Sequence, residues 1–290
     1  MMSLHDFSRQ HGRFALPFTW SDAPAITLHC YRPEAVAPDA PVVLVQHGVL
    51  RNGEDYRDFW VAAANRYGLQ IIAPTFSDEL WPGVESYNNG NVWMQDGCVR
   101  DAAQWSYSAI PALVHALEQH GVLQDQPIYL FGHSAGGQFV HRLVSTLGAA
   151  RFAGIAAGNP GWYTLPDAGL PFPEGLAQIG LPTQALERLL TTPLVILAGD
   201  RDNDTNAPHL PAEPAALRQG PHRFARAQHY YVAGQRAAQQ LGVPLAWQLH
   251  VVPGIGHDGE AMSNVCAHWW FEKRMPDSVW LTPWAGRTAA

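Results

Sequence analysis

Charge is sparse in this chain. Asp, Glu, Lys and Arg together make up 15% of its 290 residues, and the net charge is −7. No run of five or more basic side chains occurs. A nucleic-acid surface works by displacing counterions with a basic stripe, so that class of partner is excluded. Cysteine is scarcer still. Cys30, Cys98 and Cys266 are odd in number, far apart and without metal-ligand spacing, which reads as reduced, partly buried thiols. No apolar run approaches the ~20 residues that span a bilayer, so no membrane partner is expected. Residues Met1–Trp20 lack the basic-then-apolar pattern of a secretory signal, and a cytoplasmic protein is expected. Internal repeats and low-complexity tracts are also absent.

Apolar residues, by contrast, supply 47% of the chain, ample for a buried core. Nothing in the middle reads as a linker, so residues 1–290 are expected to form one domain. Short apolar runs alternate with longer helical patterns, which predicts an α/β fold: a mostly parallel sheet with helices on both faces. The predicted strands are Ile26–Tyr31, Val42–Gln46, Gln70–Ala73, Ile128–Phe131, Phe152–Ala157, Leu194–Ala198 and Ala246–Val252. Several are nearly continuous in Val, Ile and Leu, as strands buried on both faces are. The predicted helices are Asp55–Tyr67, Ala103–His120, Ser134–Leu147, Arg223–Leu241 and Ala261–Lys273. Val140, Leu143, Val144 and Leu147 form one apolar stripe at helical spacing.

Two connections, about residues 75–100 and 159–192, are longer than ordinary turns, and such ordered loops often form lids or binding walls. Several of the eleven tryptophans stand in or beside them. Trp81, Trp93, Trp162 and Tyr163 are therefore candidate walls of a substrate pocket, against the alternative that they simply pack.

The strongest chemical signal is Gly132-His133-Ser134-Ala135-Gly136, followed by Gly137. It fits G-x-S-x-G, with an apolar strand leading in and an amphipathic helix leading out. A sharp strand-to-helix turn strains the serine backbone and leaves no room for large neighbours. It also raises the hydroxyl above the sheet edge, at the positive end of the helix. Ser134 is therefore the candidate nucleophile.

A serine hydroxyl needs a base to remove its proton. Of fourteen histidines, His257 stands after the last strand, in the small-residue loop Val252-Pro253-Gly254-Ile255-Gly256-His257-Asp258-Gly259. His115, His120 and His229 fall within helical patterns, and His133, inside the turn itself, is expected to be structural. The base in turn needs an acid to fix its tautomer and stabilise its charged form. Asp202 lies three residues past Gly199 at the end of strand Leu194–Ala198, with Asp200 and Asp204 as rivals. The order Ser134, Asp202, His257 is that of α/β-hydrolases and not of trypsin-like or subtilisin-like enzymes. Asp200, Asp202, Asp204 and Asn206 also alternate like half a calcium loop, but Thr205 and Pro211 replace the Gly and Glu that loop requires. Two N–H donors must face the oxyanion. Ala135, directly after the nucleophile, offers one, and Val49, after the pair His47-Gly48, the other. This chemistry calls for no metal or organic cofactor.

Together, Gln46-His47-Gly48, the Ser134 turn, Gly199-Asp200-Arg201-Asp202 and Pro253-Gly254-Ile255-Gly256-His257 resemble the α/β-hydrolase superfamily over about residues 26–274. Pro82-Gly83 and Asn88-Asn89-Gly90-Asn91-Val92 are similar to bacterial poly(3-hydroxybutyrate) depolymerase-like proteins, relatives of feruloyl and acetylxylan esterases. The resemblance implies a carboxylic ester hydrolase for hydroxyacyl, acetyl or aryl esters. Depolymerases of solid polymer usually carry disulfides and a surface-binding module. Neither is visible in this sequence, so a small soluble ester or oligomer is the expected substrate. Peptidase, thioesterase and hydroxynitrile lyase activities use the same triad, and a non-catalytic receptor can share the scaffold. A receptor typically loses a triad member, whereas all three positions are filled here.

Overall fold

The computed structural model describes residues 4–149 and 151–287. Its frame is an eight-stranded sheet in the order β1-β2-β4-β3-β5-β6-β7-β8. The strands are β1 (Gly12–Phe18), β2 (Ile26–Arg32), β3 (Val42–Gln46), β4 (Gln70–Thr75), β5 (Ile128–His133), β6 (Phe152–Gly158), β7 (Val195–Gly199) and β8 (Gln248–Val252). β2 runs antiparallel to both of its neighbours, and every pairing from β4 across to β8 is parallel. The expected α/β architecture is present.

Ten helices accompany these strands among the described residues: α1 (Gly53–Phe59), α2 (Val61–Tyr67), α3 (Gly83–Ser86), α4 (Ala109–Gln119), α5 (Ala135–Leu147), α6 (Ala185–Thr191), α7 (Pro214–Gln219), α8 (Arg223–Leu241), α9 (Gly259–Glu272) and α10 (Ser278–Leu281). None is long and apolar enough to cross a membrane. Because side chains alternate across a strand, each inner strand feeds two cores. Val42 and Leu44 of β3 join one apolar cluster, with Leu113 of α4, Phe139 of α5, Leu189 of α6 and Tyr230 of α8. Val43 and Val45 join the other, with Tyr56 of α1, Ala63 of α2 and Met262 and Val265 of α9.

Three departures from the sequence reading have physical causes. β1 was not predicted: it is an edge strand carrying Pro17, half exposed, with little apolar continuity. The predicted helix Asp55–Tyr67 breaks at Trp60, whose fully buried indole packs on Phe131 and Trp270. The predicted helix from Ala103 begins only at Ala109, after two short 3-10 turns. All three cysteines are free, Cys30 and Cys266 in the two opposite cores and Cys98 exposed rather than partly buried.

The chain runs from β3 outward to β4, then returns to β5 on β3's other side. The strand order thus reverses between β3 and β5, and the crevice beyond the carboxyl ends of these strands is where such sheets bind ligands.

Candidate active site

Four strand ends meet at that crevice. β5 delivers Ser134 on a turn with φ 57° and ψ −119°, outside the regions an L-residue prefers. The turn is held because Ser134 N–H donates to Gly158 O of β6 at 2.9 Å and Gln138 N–H donates to Ser134 O at 3.0 Å. Glycine is obligatory at 136, where a Cβ would stand 2.2 Å from the Gln46 carbonyl oxygen of β3. Close approach of α5 to β3 therefore brings Ala135 next to the loop bearing Val49.

β7 and β8 supply the other two groups on loops joined by backbone pairing. Asp200 N–H donates to Val252 O at 3.2 Å and Arg201 N–H to Ile255 O at 3.0 Å. The Asp200 carboxylate accepts from Gly254 N–H at 2.8 Å, so it ties the loops together and does not face the base. Asp204 turns back to accept from Asn206 N–H at 2.8 Å. Of the three rival aspartates, Asp202 meets His257: its Oδ2 accepts from Nδ1 at 2.7 Å. His257 Nε2 lies 2.9 Å from Ser134 Oγ, which donates to it. Asp202 and Ser134 are buried, while His257 stays partly open to solvent. Asp258 caps α9 through Ala261 N–H at 2.9 Å and so anchors the chain directly after the base.

Two cavities flank Ser134. The larger, about 710 Å³, is lined by Val49, Tyr56, Phe59, His209, Arg223 and His257 among others. The smaller, about 280 Å³, is lined by Asn88, Gln138, Gly161, Trp162, His209 and Glu213 among others, and reaches Ala135. Val49 borders both. Of the four aromatic wall candidates, Trp162 lines one of these two cavities and the others line neither; Arg142 stacks 4.8 Å from the Trp162 ring. The other three are corrected. Trp81 is buried against Trp20 with ring centroids 5.4 Å apart, Tyr163 is buried on Tyr230 at 4.4 Å, and Trp93 is partly buried against the same core. Large rings on loops gain most by joining a core, and the sequence does not tell which side of a loop faces in. The long loops still form walls, but through Val84, Asn88 and Asn89 of the first and Gly161 and Trp162 of the second.

Several groups at the site escaped the sequence reading. His133 is indeed buried, yet its ring lies 4.6 Å from that of His257 and its Nδ1 accepts from the Tyr56 hydroxyl at 2.9 Å. Burial holds His133 neutral, its pKa far below the ordinary histidine range. A Cβ at Gly48 or Gly259 would come 3.0 Å from the Tyr56 hydroxyl, so α1 touches the Val49 loop, the serine turn and the base loop at one atom. Asn159, after β6, accepts from Gly199 N–H at 2.9 Å and donates to Gly256 O at 3.0 Å, bridging the acid and base loops. The segment 207–211 contributes to the lining of both cavities, with His209 shared between them. Only the Asn159 bridge had a signal, in the Asn-Pro-Gly that opens the second long loop.

No family model matches the sequence, and no curated protein does. Solved structures match closely. The crystal structure of LpqC, a poly(3-hydroxybutyrate) depolymerase from Bordetella parapertussis, shares 55% identity over 98% of this chain and 99% of that one, with a TM-score of 0.93. Poly(aspartic acid) hydrolase-1 from Sphingomonas sp. KT-1 shares 33% identity over 89% of this chain and 98% of that one, with a TM-score of 0.83. The S-formylglutathione hydrolase of Staphylococcus aureus, at 16% identity over 89% of this chain and 96% of that one and a TM-score of 0.56, is alike in fold alone.

Proposed function

This chain belongs to the α/β-hydrolase family of serine hydrolases that includes LpqC, and on that premise we propose that it hydrolyses small soluble carboxylic esters through Ser134, His257 and Asp202. The observation that carries the reading is the unbroken hydrogen-bonded series Asp202–His257–Ser134, at 2.7 and 2.9 Å. His257 takes the Ser134 proton as Oγ attacks the ester carbonyl carbon. Asp202, accepting from Nδ1–H, fixes the tautomer and stabilises the imidazolium. The backbone N–H groups of Val49 and Ala135 donate to the oxyanion. The intermediate collapses as His257 returns the proton to the departing alcohol. Water, deprotonated by the same histidine, then attacks the acyl-enzyme, and as the Ser134 Oγ–acyl bond breaks, His257 returns the proton to Oγ, releasing the acid.

The two cavities meeting at Ser134 leave room for both sides of a scissile bond. Polar lining by Asn88, Gln138 and Glu213 in the smaller one favours a short or hydroxylated group over a long alkyl chain. The depolymerase relative points the same way, toward hydroxyacyl esters and their soluble oligomers. A second reading, amide hydrolysis in soluble poly(aspartic acid), is favoured by the other full-length relative. We also propose a cytoplasmic location, which the three free cysteines support and cell fractionation tests.

The test is hydrolysis of p-nitrophenyl acetate, butyrate and octanoate by the wild type and Ser134→Ala. Turnover should fall from acetate to octanoate and drop by about 10³-fold or more in the variant, at an unchanged melting temperature. Wild-type rates in Ser134→Ala would refute the assignment. Serine-dependent release of aspartate oligomers, with no ester turnover, would establish the second reading instead.

A further inference from the structure

Arg223, the first residue of α8, is buried beside the candidate triad. Its side chain is 2% exposed, and Nη1 lies 3.5 Å from Oδ1 of Asp202, itself 3% exposed. Nη2 donates to Pro208 O at 3.2 Å, whereas Nε and Nη1 have no hydrogen-bond partner among the described residues. A guanidinium does not give up its proton in a protein, so this is a permanent buried cation. Asp202 is its ion-pair partner among the described residues. The same helix start ties to the acid loop again, with Phe224 N–H donating to Asp202 O at 3.1 Å.

Asp202 therefore serves two cations at once whenever His257 is protonated: the imidazolium on Oδ2 and the guanidinium on Oδ1. We propose that Arg223 is a positioning residue that acts through Asp202, sharing its carboxylate with His257 and lowering the base's affinity for protons. The inference rests on the triad reading above. Without Arg223, the full carboxylate charge would face His257 alone and favour imidazolium in the resting enzyme, leaving Ser134 without a base. With Arg223, the base stays neutral to lower pH and still has a carboxylate to orient it.

Among the surrounding charges, Arg223 is the cation that joins His257 in direct contact with the Asp202 carboxylate. His133, against His257 from the end of β5, is buried and held neutral. Tyr163 faces Asp202 from the loop after β6, and burial keeps its hydroxyl protonated. Asp204, on the acid loop, acts on Arg223. Arg226, a turn along α8, is a second cation whose field reaches Asp202, but its hydrogen bonds go to the carbonyls of Gly161 and Gly220 and it forms no ion pair with that carboxylate among the described residues. Asp258, next to His257, lies 3.9 Å from Arg287, while Glu260 pairs with Arg287 at 2.9 Å. Tyr56 approaches Asp258 from α1 and remains protonated.

The experiment is the pH dependence of kcat/KM for p-nitrophenyl acetate in the wild type, Arg223→Gln, Arg223→Lys and Ser134→Ala, since kcat/KM reports the free enzyme's base. In Arg223→Gln the acid limb should move up by about one pH unit, the scale on which a buried neighbouring charge acts. Arg223→Lys, which keeps a cation, should retain the wild-type limb with a lower kcat. Should Arg223→Gln not fold, Arg223→Met gives the same neutral test with the apolar stem kept. A folded neutral variant with an unmoved limb, or a Lys variant that moves as far as the neutral one, would overturn the inference: Arg223 would then only brace the Pro208 loop. Wild-type turnover in Ser134→Ala would instead bring down the triad reading.

Discussion

At the scale of single residues, the site depends on hydrogen bonds aimed into places where water does not reach. Tyr56 provides one of them. Its hydroxyl is the only partner of the His133 ring among the described residues, since His133 Nε2 is buried without one. Tyr56→Phe keeps the ring's packing and leaves both imidazole nitrogens unsatisfied. The expected cost is about 1–3 kcal/mol, read as a lower urea midpoint at unchanged slope. An unchanged midpoint would show that the His133 nitrogens find other partners. His257 differs in that its ring keeps an opening to solvent.

At the scale of elements, the candidate triad is assembled by loops at the ends of β5, β7 and β8, and something must hold those loops in one register. Asn159 does so with two side-chain hydrogen bonds, to Gly199 N–H and Gly256 O, from a backbone at φ 43° that Asn tolerates better than most residues. Asn159→Ala removes both bonds and strands two buried backbone groups. A loss of about 2–4 kcal/mol in unfolding free energy is expected. Because the Asp202–His257 alignment loosens, kcat should fall while KM for p-nitrophenyl acetate changes little. A KM effect alone would assign Asn159 to substrate contact. Elements were also where pattern reading worked best: β3, a fully buried strand, and α8 agree with their predicted limits. Where tertiary packing redirects the backbone, as at Trp60 between Phe131 and Trp270, the local pattern carries no mark of it.

For the molecule as a whole, buried neutral histidines tie stability to pH. His47 donates from Nδ1 to Gly48 O and accepts at Nε2 from Phe76 N–H. His141 likewise donates to Gly137 O and accepts from Thr164 N–H. His133 accepts from Tyr56. Each uses one bare nitrogen: protonation would set two N–H groups against each other at His47 and His141, and would oblige the Tyr56 hydroxyl to turn its proton away at His133. Burial drives all three below the ordinary histidine range, His47 to about 3. Below pH ~6.5 the unfolded chain takes up protons that the native state refuses, so stability is full above that pH and lost as pH falls. Each histidine then contributes about 1.4 kcal/mol per pH unit, or about 4 kcal/mol for the three at pH 5.5. Urea unfolding at pH 7.5 and 5.5 measures the difference, and equal stabilities would mean these rings take up protons in the folded state.

The sequence by itself determined the α/β alternation, the serine turn, and the placing of an aspartate cluster after β7 and of His257 after β8. These rest on local causes: strand periodicity, the small residues a sharp turn demands, and the position of a loop after its strand. Position after Gly199 favoured Asp202, but which of Asp200, Asp202 and Asp204 faces His257 was decided only in three dimensions, by the direction the loop gives each carboxylate. The same holds for Arg223 beside Asp202, Tyr56 on His133, and the burial of Trp81, Trp93 and Tyr163 away from the cavities. Those relations join residues far apart in the chain, and their energy comes from burial and pairing that exist only once the sheet has closed.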